Sequence, residues 1–302
     1  MPAGCAGLSL AAAVAAPLCW SALVLQDAGS PWRWLGRALT SRLSITCQVV
    51  LVCSALVLVA LCRALWWAGA PHRKADRSVQ GAAILEFVLA LPIALMLVLI
   101  MVQSSLLMGG NLCVHYSAFC AARSAVVYVP ADFSPSEPRN CLTDPEWSGK
   151  LHRIRQAALW AVMPISCGGS DYPGAARAFP AAAPLRAGIG DFFASHGQVT
   201  PGWVDERLDR KWQYAEEHTQ VALAPPAAGD AYGDDEDLWV TVRHAFYLSV
   251  PYAGWVFRTL DRQDGVDLDF ADGQYALMIE ATCTLTNEGV QDFVDEERFA
   301  AQ

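Results

Sequence analysis

An α+β domain carried on a long apolar membrane helix is the architecture that the sequence predicts, and three features predict it. Just over half of the 302 residues, 54%, are apolar and the mean hydropathy is positive, which excludes a disordered chain. The charge is split, because residues 1–129 carry 8 basic and 3 acidic side chains whereas residues 130–302 carry 13 and 27. That is the layout of a membrane anchor joined to one water-exposed domain. Finally, helical spacing of apolar residues gives way near the end to strict alternation, which signals helices covering a small antiparallel sheet. An acidic exposed half argues against nucleic-acid binding, since phosphate affinity needs a basic surface.

In chain order, Ala3 to Gln26 is a first apolar stretch, interrupted by Pro17, and Leu43 to Cys62 is a second, bracketed by Arg42 and Arg63. The third, Ala82 to Met108, has only Glu86, Gln103, Ser104 and Ser105 as polar side chains. At about 1.5 Å per residue it crosses a hydrocarbon layer of about 30 Å with length to spare. The basic cluster His72, Arg73, Lys74, Arg77 precedes it, and no Lys or Arg follows until Arg123; the positive-inside rule therefore puts the cluster in the cytoplasm and the back half on the exported side. The second stretch is weakly oriented, because Arg33, Arg37 and Arg42 balance the charge behind it. A true span and a start further downstream are both open readings of this extension. The expected division is 1–81 as a cytoplasmic or leader region with one or two extra apolar segments, 82–129 as transmembrane and stalk helix, and 130–302 as the exported domain.

The stalk helix is expected to run to about Tyr128, ahead of Pro130, with Gly109-Gly110 as a place to bend. Asp144-Pro145 reads as the start of a helix with Trp147, Leu151, Ile154, Ala158 and Val162 on one face and Pro164 as its stop. Thr200-Pro201 opens another, with Val204, Leu208, Trp212 and Ala215 at helical spacing. Strands are read at Leu238 to Val250 and Tyr275 to Leu285, where apolar and polar residues alternate. The Ala/Pro/Gly-rich pieces 171–190 and 222–237 are expected as loops.

Glu86 stands five residues into the third apolar stretch, where an unpaired carboxylate costs at least about 2.5 kcal/mol if it lies deep. The run Arg73-Lys-Ala-Asp-Arg-Ser-Val-Gln-Gly81, then Ala82-Ala-Ile-Leu-Glu86-Phe87, then unbroken aliphatics resembles the processing site of type IV pilin-like proteins. With Pro92 and Ala121-Ala-Arg-Ser-Ala-Val, it is most similar to the TadE-like minor pseudopilins of the tight-adherence (Tad/Flp) pilus system. Looser likeness continues through Tyr214-Ala-Glu-Glu-His-Thr, Leu238-Trp-Val-Thr-Val-Arg and Tyr275-Ala-Leu-Met-Ile-Glu-Ala-Thr. The resemblance implies a non-enzymatic structural subunit in the bacterial inner membrane, with its C-terminal domain in the periplasm or cell exterior. It also implies a prepilin peptidase cutting between Gly81 and Ala82, and other pilins, pseudopilins and Tad assembly machinery as partners. Glu86 and Phe87 become assembly residues: the cut creates an ammonium on Ala82, with which a neighbour's Glu86 can pair. The family has a short leader where this chain has about 80 residues ahead of the glycine. That departure keeps a second reading in view, an uncleaved membrane-anchored binding or adhesin module.

No GxGxxG, GxxxxGK, GxSxG, HExxH or CxxC pattern occurs, so the common phosphate-cradle, nucleophile-elbow and zinc signatures are absent, and no cofactor is expected. Asp264, Asp267, Asp269 and Asp272 offer oxygen ligands for a calcium ion without EF-hand spacing, and a solvated acidic loop is the plainer reading. Glu216, Glu217 and His218 read as a solvated helix face, His244 as a hydrogen-bonded core histidine. Cys141 and Cys167 flank the first exported helix; in an oxidising compartment their disulfide would contribute about 3 kcal/mol.

Overall fold

The computed structural model describes residues 33–68, 79–133, 137–142, 148–168, 183–227, 229–250, 254, 256–257 and 275–288. The chain is α+β and divides into two compact units, one drawing on Met1–Leu112 and Phe246–Leu277, the other on Cys113–Ala245 and Met278–Gln302.

The first unit opens with α1 (Arg33–Thr40) and α2 (Arg42–Ala68). Ser41 separates them and caps the second, its hydroxyl accepting from the Ser44 amide at 3.2 Å, which satisfies one of the amides that a helix start leaves bare. Helix α3 (Val79–Tyr128) is 50 residues long and carries Pro92 within it. Stretches Arg42–Ala64 of α2 and Ala90–Tyr128 of α3 are long and apolar enough to cross a membrane. The first apolar stretch of the sequence, Ala3 to Gln26, lies outside the described residues. Gly109-Gly110 does not end α3, which is helical through both. A Cβ on Gly110 would come within 2.6 Å of the Phe246 ring, so this glycine allows close approach, at a helix-propensity cost of about 1 kcal/mol.

In the second unit α3 stops where the sequence predicts, at Pro130, which has no amide to continue the ladder. Helix α4 (Gly149–Val162) starts later than expected. Asp144-Pro145 lies outside the described residues, and the cap is Ser148, extended at φ −69° and ψ 116°, its hydroxyl accepting from Leu151 N. The Glu137 carboxylate takes the next bare amide, Gly149 N, at 3.0 Å. A carboxylate at this end also suits the helix dipole. Ile154, Ala158 and Val162 of the predicted face are buried, and a 3-10 turn at Met163–Ile165 ends the helix at Pro164.

Helix α5 (Ala183–Ser195) corrects the expectation of a loop over 171–190 from Ala183 onward; 171–182 lie outside the described residues. Alanine is the best helix former and proline is tolerated in a first turn, so the Ala/Pro/Gly composition misleads there. Arg186 of α5 forms an ion pair with Asp209 of α6 (Gly202–His218). Along α6 the expected Val204, Trp212 and Ala215 are buried, joined by Tyr214; Trp212 meets Trp160 of α4 at a ring separation of 4.8 Å.

The sheet has the order β1-β2-β3, with β1 (Thr219–Leu223), β2 (Asp237–Tyr247) and β3 (Ala276–Thr286). β1 runs antiparallel to β2, Thr219 opposite His244 and Leu223 opposite Val240. Contacts Asp237–Thr286, Thr241–Thr282 and Arg243–Glu280 ascend β2 while descending β3, so that pair is antiparallel too. The residues predicted to face inward, among them Leu238, Val240 and Val242 on β2 and Leu277, Ile279 and Ala281 on β3, are buried. β1 was not expected as a strand, being too short to show its alternation.

The joint between α3 and α4 is a buried lysine. Lys150 Nζ donates to Val129 O at 2.9 Å, Pro138 O at 2.8 Å and Cys141 O at 3.1 Å. Three donors meet three carbonyls, which requires the ammonium form. Lys150→Met would leave those oxygens without their donor and should destabilise the detergent-purified chain by on the order of 3 kcal/mol. A thermal melt unchanged from wild type would show that the joint contributes nothing.

Candidate functional site

The residues that the resemblance singles out fall in the first turns of α3. Gly81, Ala82, Glu86 and Phe87 are all in helical backbone; their side chains lie outside the described residues. From Val88 onward the surface is described, and it is bare: Val88, Leu91, Leu95, Val98, Val102 and Leu106 are all exposed. Their spacing of three and four residues follows one long side of the helix, and Ile93 and Met96 are exposed on another. An apolar helix left uncovered over this length is at home in hydrocarbon and not in water.

Past this bare part, polar residues turn inward. Gln103 is fully buried, its side-chain oxygen accepting from Val250 N at 3.1 Å. Asn111 is buried as well and donates to Ala38 O at 2.7 Å. Ser104 and Ser105 return their hydroxyls to the carbonyls of Ile100 and Met101, the way short hydroxyl side chains hide in apolar helices. In the second unit α3 becomes a close-packed face of Val114, Ala118, Ala121, Ala122 and Ala125, all buried, and Ser117 Oγ ties it to Ala158 O of α4 at 2.9 Å. Gln103 is visible in the sequence only as a polar interruption of the third apolar stretch and Asn111 not at all, although polar groups beside an apolar run are the signal that finds such contacts.

Cys141 and Cys167 are not joined in the expected disulfide. Cys141 belongs to the Lys150 cage at the start of α4. Cys167 follows the turn that ends α4, beside Lys211, whose Nζ donates to Pro164 O and Ser166 O at 2.7 and 2.9 Å. The 14-residue helix puts about 20 Å between its ends, and a disulfide needs Cα atoms within about 7 Å. Asp264, Asp267, Asp269 and Asp272 lie outside the described residues. Among the described residues no group of three or more His, Cys, Asp or Glu is placed to hold a metal ion.

A buried polar cluster of the second unit surrounds His244. Its Nδ1 is 2.8 Å from Thr219 Oγ1, and Tyr214, whose hydroxyl donates to Ala245 O at 2.7 Å, presents its ring edge to the imidazole. Nε2 is buried with no hydrogen-bond partner among the described residues. We assign the proton to Nδ1, because a bare lone pair costs less than a bare N–H. His218 departs from the solvated face expected of it: it is half-buried with its ring 4.5 Å from that of Tyr214. Glu217 stays exposed. These groups bind one another across α6, β1 and β2, as a core does.

Burial, helped by the neighbouring His218, pushes the His244 pKa down to about 3. Desolvation also lowers that of His218, with Glu217 opposing. An unfolded histidine titrates near 6.5, so between about pH 6.5 and 3 the unfolded chain takes up a proton that the folded one refuses. Stability is full above that window and falls as pH falls through it. His244→Gln should flatten this acid limb, narrowing the loss in melting temperature between pH 7 and pH 4.5 by several degrees. A His244 that NMR finds protonated in the folded protein at pH 5.5 would contradict the assignment. Comparison of the chain with protein-family models, with curated proteins and with solved structures finds no match.

Proposed function

We propose that this chain is a minor pseudopilin-like structural component of a Tad/Flp-type pilus or secretion assembly, anchored by α3 in the inner membrane with its sheet-bearing unit on the exported side. The observation that carries the reading is the composition of α3. One continuous 50-residue helix begins just ahead of Gly81-Ala82, passes Glu86-Phe87, leaves apolar side chains bare from Val88 to Leu106, and ends as a small-residue face packed within its own domain. A subunit that is inserted in a bilayer and later packed among like helices needs that sequence of surfaces. Its chemistry is proposed to be contact and not catalysis; its partners are other pilins and pseudopilins, the assembly machinery and a prepilin peptidase.

Processing between Gly81 and Ala82 requires extended backbone in the protease. The bond lies in the first turn of α3, where the amides have no carbonyl partners within the helix, so unwinding it sacrifices few hydrogen bonds. The second reading, an uncleaved anchored binding module with a calcium-binding loop, is favoured by one observation, that α1 and α2 ahead of the cut are folded helices with buried residues of their own.

Two variants separate processing from assembly. Gly81→Leu should leave the chain full-length, because a bulky side chain obstructs close approach by the peptidase. Glu86→Ala should still be cut but should lose incorporation into the assembly, since its carboxylate is proposed to pair with a neighbour's Ala82 amine. Intact mass and co-purification read the two steps. Normal assembly of the Glu86 variant would reduce that residue to a hydrated group at the interface, and an uncut wild-type chain would discard processing and favour the anchored module.

A further inference from the structure

We infer that α1–α2 is a resident partner of α3 and not a leader that departs: the two apolar helices form an antiparallel hairpin in the membrane. In it, α1 and the far end of α3 lie on the same side, and a cut between the helices leaves both pieces bound. The inference rests on the anchoring role proposed for α3 and deepens it.

Asn111 carries the argument. Its amide, buried within an apolar helix, would be costly without a partner, and its donor finds Ala38 O at 2.7 Å. Ala38 is in the last turn of α1, where carbonyls have no helical donor. The same oxygen accepts the Ser41 hydroxyl at 3.0 Å, so both of its lone pairs are used. The contact therefore joins an orphan acceptor to an otherwise orphan donor, and it fixes Ala38 at the level of Asn111.

Direction follows from length. From that level α2, with 27 residues, extends about 40 Å, and α3 needs about 48 Å to come from Val79 to Asn111. Each exceeds the layer of about 30 Å. Since α2 leaves the shared level and α3 arrives at it, they cross in opposite senses. This resolves the orientation of the second apolar stretch, which flanking charge leaves undecided. α2 is also built for a neighbour: Ser44, Cys47 and Ser54 are buried along one side while Ile45, Val49 and Val57 are at least half exposed. Small residues inside and aliphatics outside are what close packing between membrane helices demands.

The test uses the full chain with an N-terminal affinity tag and a specific protease sequence introduced between Ala68 and Val79, extracted in mild detergent. After complete cutting, the tagged piece should still recover the piece carrying α3 and the domain. Asn111→Leu should lower that recovery about three- to tenfold, as loss of one interhelical hydrogen bond in an apolar medium implies. Ala38→Leu, which wedges α1 away without touching α3, should lower it similarly, and Leu106→Ala on the bare face should leave it unchanged. Should Asn111→Leu fail to accumulate, Ala38→Leu decides. Separation of the wild-type pieces, or equal recovery for every variant, would overturn the inference, the latter because the pieces then share only a micelle. The engineered cut makes the result independent of natural processing at Gly81. A chain that washes off membranes at alkaline pH would instead refute the anchoring reading beneath it.

Discussion

The ammonium of Lys150 is the contact on which the architecture of the second unit depends. It accepts no help from solvent: the residue is fully buried, and burial lowers its pKa while Glu137 opposes the shift. Its three bonds reach the last residue of the stalk, Val129, and two points of the segment that leads away from it, Pro138 and Cys141. Val129 O also accepts from Asn140 N, so the end of α3 is closed from two directions. Asn140 sits at φ 57°, a left-handed backbone that asparagine tolerates better than most residues. The carbonyl just past the end of the long helix is thereby satisfied twice, and α4 starts where the charge that closes α3 is already in place.

The same device recurs at the next helix end. Lys211, from α6, places its Nζ against the carbonyls of the turn that terminates α4, and a cation there also matches the negative end of the helix dipole. Glu137 and Ser148 serve the opposite end of α4. The helix is thus located by groups from other elements at both termini, besides its packing on α6 and β1. This suits a unit whose stalk-facing residues are mostly alanine, because small side chains allow close approach but bury little apolar area each, about 25 cal/mol per Å².

What was legible in the sequence was whatever depends on periodicity. β2 and β3 were found by alternation, and the inward residues Val240, Val242 and Ile279 are where alternation puts them; the stalk end at Tyr128 was found because Pro130 cannot extend a helix. What was not legible depends on long-range partners. Ser148 outcompetes Asp144-Pro145 as the start of α4 because Glu137, on a different segment, supplies the second cap. Cys141 and Cys167 looked like a pair only because their separation along a rigid helix is invisible in one dimension. Lys150 appears in sequence as an ordinary first-turn lysine, and nothing local marks it as buried. α5 hid behind a composition that suits loops and alanine helices equally.

Polar groups within the apolar helix are where the two kinds of information meet. Gln103 and Asn111 interrupt an otherwise aliphatic run, which periodicity treats as noise and electrostatics treats as a demand for partners. Each partner is a backbone group without a ladder partner of its own: Val250 N follows the end of β2, and Ala38 O lies at the end of α1. Side-chain amides thus pair with the backbone loose ends of elements far away in sequence, which fixes position along α3 more sharply than aliphatic contact does, since a hydrogen bond fails within half an ångström or so while an apolar surface slides. A helix exposed over most of its apolar length needs such fixed points, because its bare face sets no register. The register of α1, and of the segment after β2, against α3 is therefore set by two amides.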